Sequence, residues 1–235
     1  MRSLAMSAIA ALVLTGACGL ISSDVTSFDL SLPDKTFTVD SAQWMLDSNA
    51  VGTYTSTACT AQNNPCGAVD AACKKGQCTG SCDSGTNSCA LGVLLSLYQK
   101  VDLFSEKPEL QTINDQPLVG VKIDKLEYQV IENTMNVATP PMTLYVAPQN
   151  IMAPGDPSAH AIATIPPIPA GMTLALTQVV IDADGQAELA KFMGDYKTPF
   201  NIIIGATLTV KKGDAVPSGR LTAKVKVTAH AQLGG

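Results

Sequence analysis

Beyond residue 26, apolar and polar side chains alternate at the two-residue period of a half-buried strand. Ser27-Phe28-Asp29-Leu30-Ser31-Leu32 and Thr36-Phe37-Thr38-Val39, separated by Pro33-Asp34-Lys35, predict a hairpin. Val93, Leu95, Leu97, Val101 and Leu103 share one parity, which predicts a long strand from Gly92 to Phe104. Val119, Val121, Ile123 and then Leu126 to Ile131 continue the pattern, with a change of face near Lys125 that a β-bulge absorbs. Further strands are expected at Met142–Ala147, His160–Ile165, Met172–Ile181, Phe200–Val210 and Leu221–Ala231, with Pro or Gly in nearly every gap. The period changes once. Leu189, Phe192 and Met193 fall at i, i+3 and i+4, which predicts one short edge-covering helix, capped by Asp184 or Gly185 and stopped at Gly194.

Many short strands with turn signals between them predict a mainly β fold, an antiparallel sandwich in preference to a barrel. A transmembrane barrel needs aromatic girdles, and aromatics are 5% of the chain. The expected organisation is residues 1–17 as a signal peptide, 18–26 as a tether, and 27–235 as one domain interrupted by a cysteine-rich insertion at 53–89.

The stretch Met1 to Ala17 carries one positive charge at Arg2, an apolar run, then small residues before Cys18, the layout of a secretory signal. The run is about a dozen residues, shorter than the ~20 a membrane span requires. Leu14-Thr15-Gly16-Ala17-Cys18 resembles the lipobox of bacterial lipoproteins, with Leu14 one place early and Thr15 at the usual Leu position. The resemblance implies cleavage before Cys18, a diacylglycerol on its sulfur and an acyl chain such as palmitate on its amine. Gly19 after the cysteine implies the outer membrane by the same family's sorting habit. Two or more acyl chains give stable anchoring at ~0.8 kcal/mol per buried CH₂.

Cys59, Cys66, Cys73, Cys78, Cys82 and Cys89 lie in a segment rich in Thr, Ser, Asn and Gly with almost no apolar periodicity. An even count in an exported chain reads as three disulfides, whose connectivity spacing leaves open. The competing reading is a thiolate metal site. Only Cys78-Thr-Gly-Ser-Cys82 approaches zinc-ligand spacing, and the segment has no His. The bridges staple either a protected surface loop or a rigid binding loop, and the first reading needs fewer assumptions.

Ile123 to Asn133-Thr134, followed by Pro140-Pro141-Met142-Thr143-Leu144-Tyr145-Val146, is similar to the immunoglobulin-like sandwich of late embryogenesis abundant type 2 domains, over residues 118–150. That similarity implies an immunoglobulin-like sandwich and brings no catalytic residues.

Composition changes the picture in one respect. The net charge is −5, and without residues 1–17 Arg220 is the only arginine, a poor basis for neutralising phosphates, so nucleic acid is set aside as a partner. Candidate chemistry is sparse. His160 and His230 each stand on a strand among Ala and Thr, with no GxSxG or HExxH pattern. Asp182, Asp184 and Glu188 have the oxygen density of a calcium loop, although helix capping explains Asp184 more simply. Ile165-Pro166-Pro167-Ile168-Pro169 reads as an extended connection, and Gly120 and Gly205 as strand bulges. No cofactor is implied. The expectation is a membrane-anchored, non-enzymatic binding or structural module contacting an envelope protein or polysaccharide. An apolar-ligand carrier is the alternative, and a hydrolase the third reading.

Overall fold

The computed structural model describes residues 27–73, 77–113 and 118–233; the signal peptide, Cys18 and the tether lie outside them. Two antiparallel sheets share one cluster of buried side chains. The first is built on β10 (Arg220–Leu233), whose Leu221, Ala223, Val225, Val227, Ala229 and Ala231 are buried. It pairs along its length with β5 (Leu118–Asn133), and β5 pairs with β8 (Leu174–Val179). The change of face read near Lys125 is a bulge: Thr228 faces Lys125 and Ala229 faces Ile123, leaving Asp124 as the extra residue.

The expected N-terminal hairpin is absent. β1 (Ser27–Asp29) and β2 (Lys35–Asp40) both run antiparallel to β10, so they point the same way and never pair with each other. The amides of Leu30 and Leu32 continue the ladder to the carbonyls of Ala229 and Val227. Pro33 has no N–H to donate and interrupts this single edge strand without reversing it.

The second sheet has the order β3 (Cys78–Asp83), β4 (Ser88–Val101), β9 (Phe200–Val210), β6 (Met142–Pro148), β7 (His160–Ile165). The spans of β7 and β9 match the alternation pattern at both ends. β4 starts and stops earlier than its pattern, because the Asp102 side chain accepts the Ser105 amide and turns Leu103 and Phe104 into a helical turn, α2 (Leu103–Glu106). α1 (Ser48–Thr55) occupies residues read as loop and insertion, capped by Asp47 on the Ala50 amide. The described residues thus contain three α-helices rather than one, besides two single 3₁₀ turns at Ser41–Trp44 and Pro108–Gln111.

α3 (Ala183–Gly194) is the expected helix, ending at Gly194 as read but starting earlier. Its cap is Asp182, whose carboxylate accepts the Gly185 amide at 2.6 Å, and Asp195 follows as the C-cap at negative φ, so the helix stops at Gly194 without a left-handed residue. α3 packs on β5 of one sheet and on β7 and β6 of the other, closing the seam between sheets instead of covering one edge. Gly185 permits this: a Cβ there would lie 2.5 Å from the Ile162 carbonyl oxygen.

The cysteine-rich segment is not an appended surface loop. It supplies the edge strand β3, and Tyr54, Ala72 and five of its cysteines are buried. Its few apolar residues carry no periodicity because bridges and turns, rather than a regular face, put them inside.

Candidate functional site

Three features carry candidate chemistry. The first is the stapled hairpin of β3 and β4. Asn87, in the left-handed region at φ 49, and the Thr86 hydroxyl bonded to Asp83 shape its turn. Cys82 then stands directly opposite Cys89. Neither bonds the other. The pairs are Cys59–Cys82, Cys66–Cys89 and Cys73–Cys78, with Cα–Cα distances of 5.8, 5.3 and 6.2 Å. The bridges stay within 59–89, and Cys78 and Cys82, the one pair with zinc-like spacing, go to different partners. The sulfurs of Cys59, Cys66 and Cys89 all lie within 4.8 Å of one another.

Backbone contacts position these residues as well. The Cys59 amide donates to Asn87 O and the Cys89 amide to Thr57 O, each at 3.0 Å. Tyr54, on α1, donates its hydroxyl to Cys66 O at 2.5 Å, over Gly80. Burial pushes the Tyr54 phenol above its usual range. Tyr54 and Gly80 were not identified from sequence; a lone Tyr in a polar helix and a Gly in a polar strand carry no periodic signal.

The second feature is the outer face of the first sheet at the end where β1 begins. His230 Nδ1 bonds the carboxylate of Asp124, the bulged residue, and Lys122 stands 3.8 Å from the same carboxylate. Ser27, Gly120 and Gln232 line the same concavity of about 440 Å³. Asp29, opposite His230 in register, is held below the usual carboxylate range by the hydroxyl and amide of Ser31. The reading of His230 as isolated is thus corrected. Its acid partner is 106 residues away, and only the face change near Lys125 hinted that Asp124 would turn outward. Ser27 faces Gln232 rather than His230, so a nucleophile opposite the imaginable base is not in register. His160 is exposed at the start of β7, opposite Val146.

The third feature is a concavity of about 330 Å³ where α3 ends, with Phe192, Pro148 and Pro199 as apolar walls and Lys191, Asp195 and Thr198 beside them. Asn201, 1% exposed, fixes its rim by donating to Gln149 O and Ile151 O at 3.0 and 2.7 Å. Of the calcium candidates, Asp182 is committed to the helix cap, Asp184 stands in the first helical turn and Glu188 pairs with Lys191 at 3.6 Å.

The proline run is tied down: Ile168 is buried and exchanges bonds with the hydroxyl and amide of Thr139. Gly120 adjoins a register shift, as a bulge glycine does. Gly205 does not: it is regularly paired on both sides, and it is glycine because a Cβ would meet Pro154 at 2.5 Å. No family model matches the chain, and a search of curated proteins finds no match.

Proposed function

We propose that the chain is a lipid-anchored envelope protein, held to the membrane through Cys18, whose domain is a non-enzymatic binding or structural module. The observation that carries this is the order of charge, apolar run, small residues and cysteine over Met1–Cys18. Gly19 supports an outer-membrane address. Among the described residues no helix is long and apolar enough to cross a membrane, so an anchor on Cys18 is what this reading relies on. The chain crosses repeatedly from sheet to sheet, which supports an immunoglobulin-like sandwich. The register supports a non-enzymatic role, because the hydroxyl nearest in the β1–β10 ladder, that of Ser27, faces Gln232 rather than His230. The partner we infer is an envelope protein or polysaccharide.

The test is Cys18→Ala in the producing bacterium. Processed, palmitate-labelled parent in the membrane fraction and an unlabelled, uncleaved variant is the expected result. Mature, membrane-bound variant would overturn the anchor.

One observation favours the carrier reading: the concavity at the end of α3 falls at the small end of ligand pockets. Native mass spectra of the purified protein free of any amphiphile would count against it.

A further inference from the structure

We propose that reduction of two of the three bridges turns the stapled hairpin into a thiolate site for one thiophilic d¹⁰ cation, with Cys59, Cys66, Cys82 and Cys89 as ligands. The inference is independent of the lipid anchor. Tetrahedral coordination at a metal–sulfur distance of ~2.3 Å places sulfurs ~3.8 Å apart. The sulfurs of Cys59, Cys66 and Cys89 already lie within 4.8 Å of one another; that of Cys82 lies outside this trio but is bonded to Cys59. Closing the site needs the two bonded pairs to part and the Cys82 side chain to rotate toward the other three sulfurs.

What keeps the four residues together after reduction is backbone rather than sulfur. Cys82 and Cys89 are opposite each other in the β3–β4 ladder. The Cys59 and Cys89 amides bond Asn87 O and Thr57 O. Cys66 is held by Tyr54 on its carbonyl and by the Asn64 side chain on its amide, at 2.5 and 3.1 Å. Cys73–Cys78 takes no part in this arrangement.

The chemistry balances simply. Each bridge takes two electrons and two protons from a dithiol, which leaves as its own disulfide. The cation then displaces the thiol protons as it binds. Cys59, Cys66 and Cys89 are buried, which disfavours free thiolates there and favours thiolates neutralised by a cation. Cys82 is only half-buried and offers the way in. Four thiolates without a carboxylate suit Zn²⁺, Cd²⁺ or Cu⁺ and not Ca²⁺ or Mg²⁺.

The test uses the purified mature protein, reduced anaerobically with a phosphine and titrated with Cd²⁺ while thiolate-to-metal charge-transfer absorption is followed. One Cd²⁺ per chain is expected. The Cys73→Ser/Cys78→Ser variant should bind as the parent does, and the Cys66→Ser/Cys89→Ser variant should bind about tenfold more weakly or worse. Absent charge-transfer absorption, loss of binding in the first variant, or undiminished binding in the second would overturn the proposal. So would loss of the strand signal in circular dichroism on reduction alone, since the backbone would then not hold the ligands.

Discussion

Gly80→Ala isolates what the stapled hairpin contributes to the fold. Gly80 lies in β3 opposite Leu91, at an ordinary strand conformation, so the backbone itself accepts alanine. The obstacle is space: a Cβ would fall well inside contact distance of both Cys66 O and the Tyr54 hydroxyl, the two ends of one hydrogen bond. The segment bearing Cys66 yields only with strain, because Cys66 is bridged to Cys89 on the neighbouring strand. Relief therefore requires a shift of the Cys66 carbonyl as well as an outward swing of Tyr54. That exposes a ring now 9% exposed, costing ~1.5–3 kcal/mol, and leaves a carbonyl unpaired, costing ~1–3 kcal/mol. Replacing a strand glycine recovers ~0.5–1 kcal/mol. The net expectation is a loss of ~2–5 kcal/mol in urea unfolding of the oxidised protein. Tyr54→Phe alone should cost ~1–3 kcal/mol, and the double variant less than the sum, because both changes break the same bond. A Gly80→Ala protein within ~0.5 kcal/mol of the parent would refute the packing argument.

Two further outcomes follow from the ion pairs and carboxylates. Lys35, 9% exposed, meets both oxygens of Glu106 at 2.7 Å, and Glu106 also accepts the Asp102 amide. Glu106→Gln should lower stability by ~1–3 kcal/mol, less than for a fully buried pair because Glu106 keeps 26% exposure, and Lys35→Met in that background should restore part of it in thermal unfolding. Asp29, Asp40 and Asp83 are held below the usual carboxylate range, by Ser31, by Arg220, and by Thr86 with Lys211 respectively. Asp102 is pushed up by burial, but bonds from Ser105 and Lys100 outweigh it. Their folded forms bind protons more weakly than the unfolded chain, so their stabilisation is complete above the unfolded value of about 3.9 and is lost as pH falls through the lower folded values. The urea midpoint should fall below about pH 4.5, less steeply in Asp40→Asn; a midpoint constant to pH 3 would contradict this.

The legible parts of the fold are those where one local pattern decides the outcome. β7 and β9 are read to the residue because each is a run of apolar and β-branched residues with a proline close outside it: Pro166 ends β7 and Pro199 precedes β9. The bulge at Asp124 is legible because a one-residue insertion flips every later side chain to the other face. The N-terminal hairpin fails because alternation specifies a strand but not its partner. A 14-residue β10 leaves a long edge to cover, and one chain segment running along it satisfies more amides than a short hairpin would. α1 fails because its buried face consists of Val51, Tyr54 and Thr55, too few for a helical period to emerge from Ser, Asn, Gly and Thr.

The candidate chemistry is less legible for a related reason. His230 with Asp124, and the facing Cys82 and Cys89, are products of strand register, which depends on the whole sheet and not on spacing along the chain. Register also determines which end of the domain meets which surroundings. Ser27, Gln232 and Gly120 mark one end of the first sheet, and α2 and the end of α3 lie there, linked by the Phe104–Tyr196 stack and by Gly194 against Val121. Residues 19–26 span at most about 30 Å. β10 begins at the other end, where Arg220 pairs with Asp40, and Lys211 joins that end of β9 to Asp83 of the stapled hairpin. The cross-linked hairpin lies at that second end, opposite the end at which β1 begins. A binding loop at such a position gains from rigidity, since ordering it on contact would cost ~1–2 kcal/mol per residue, and three bridges have already removed that freedom.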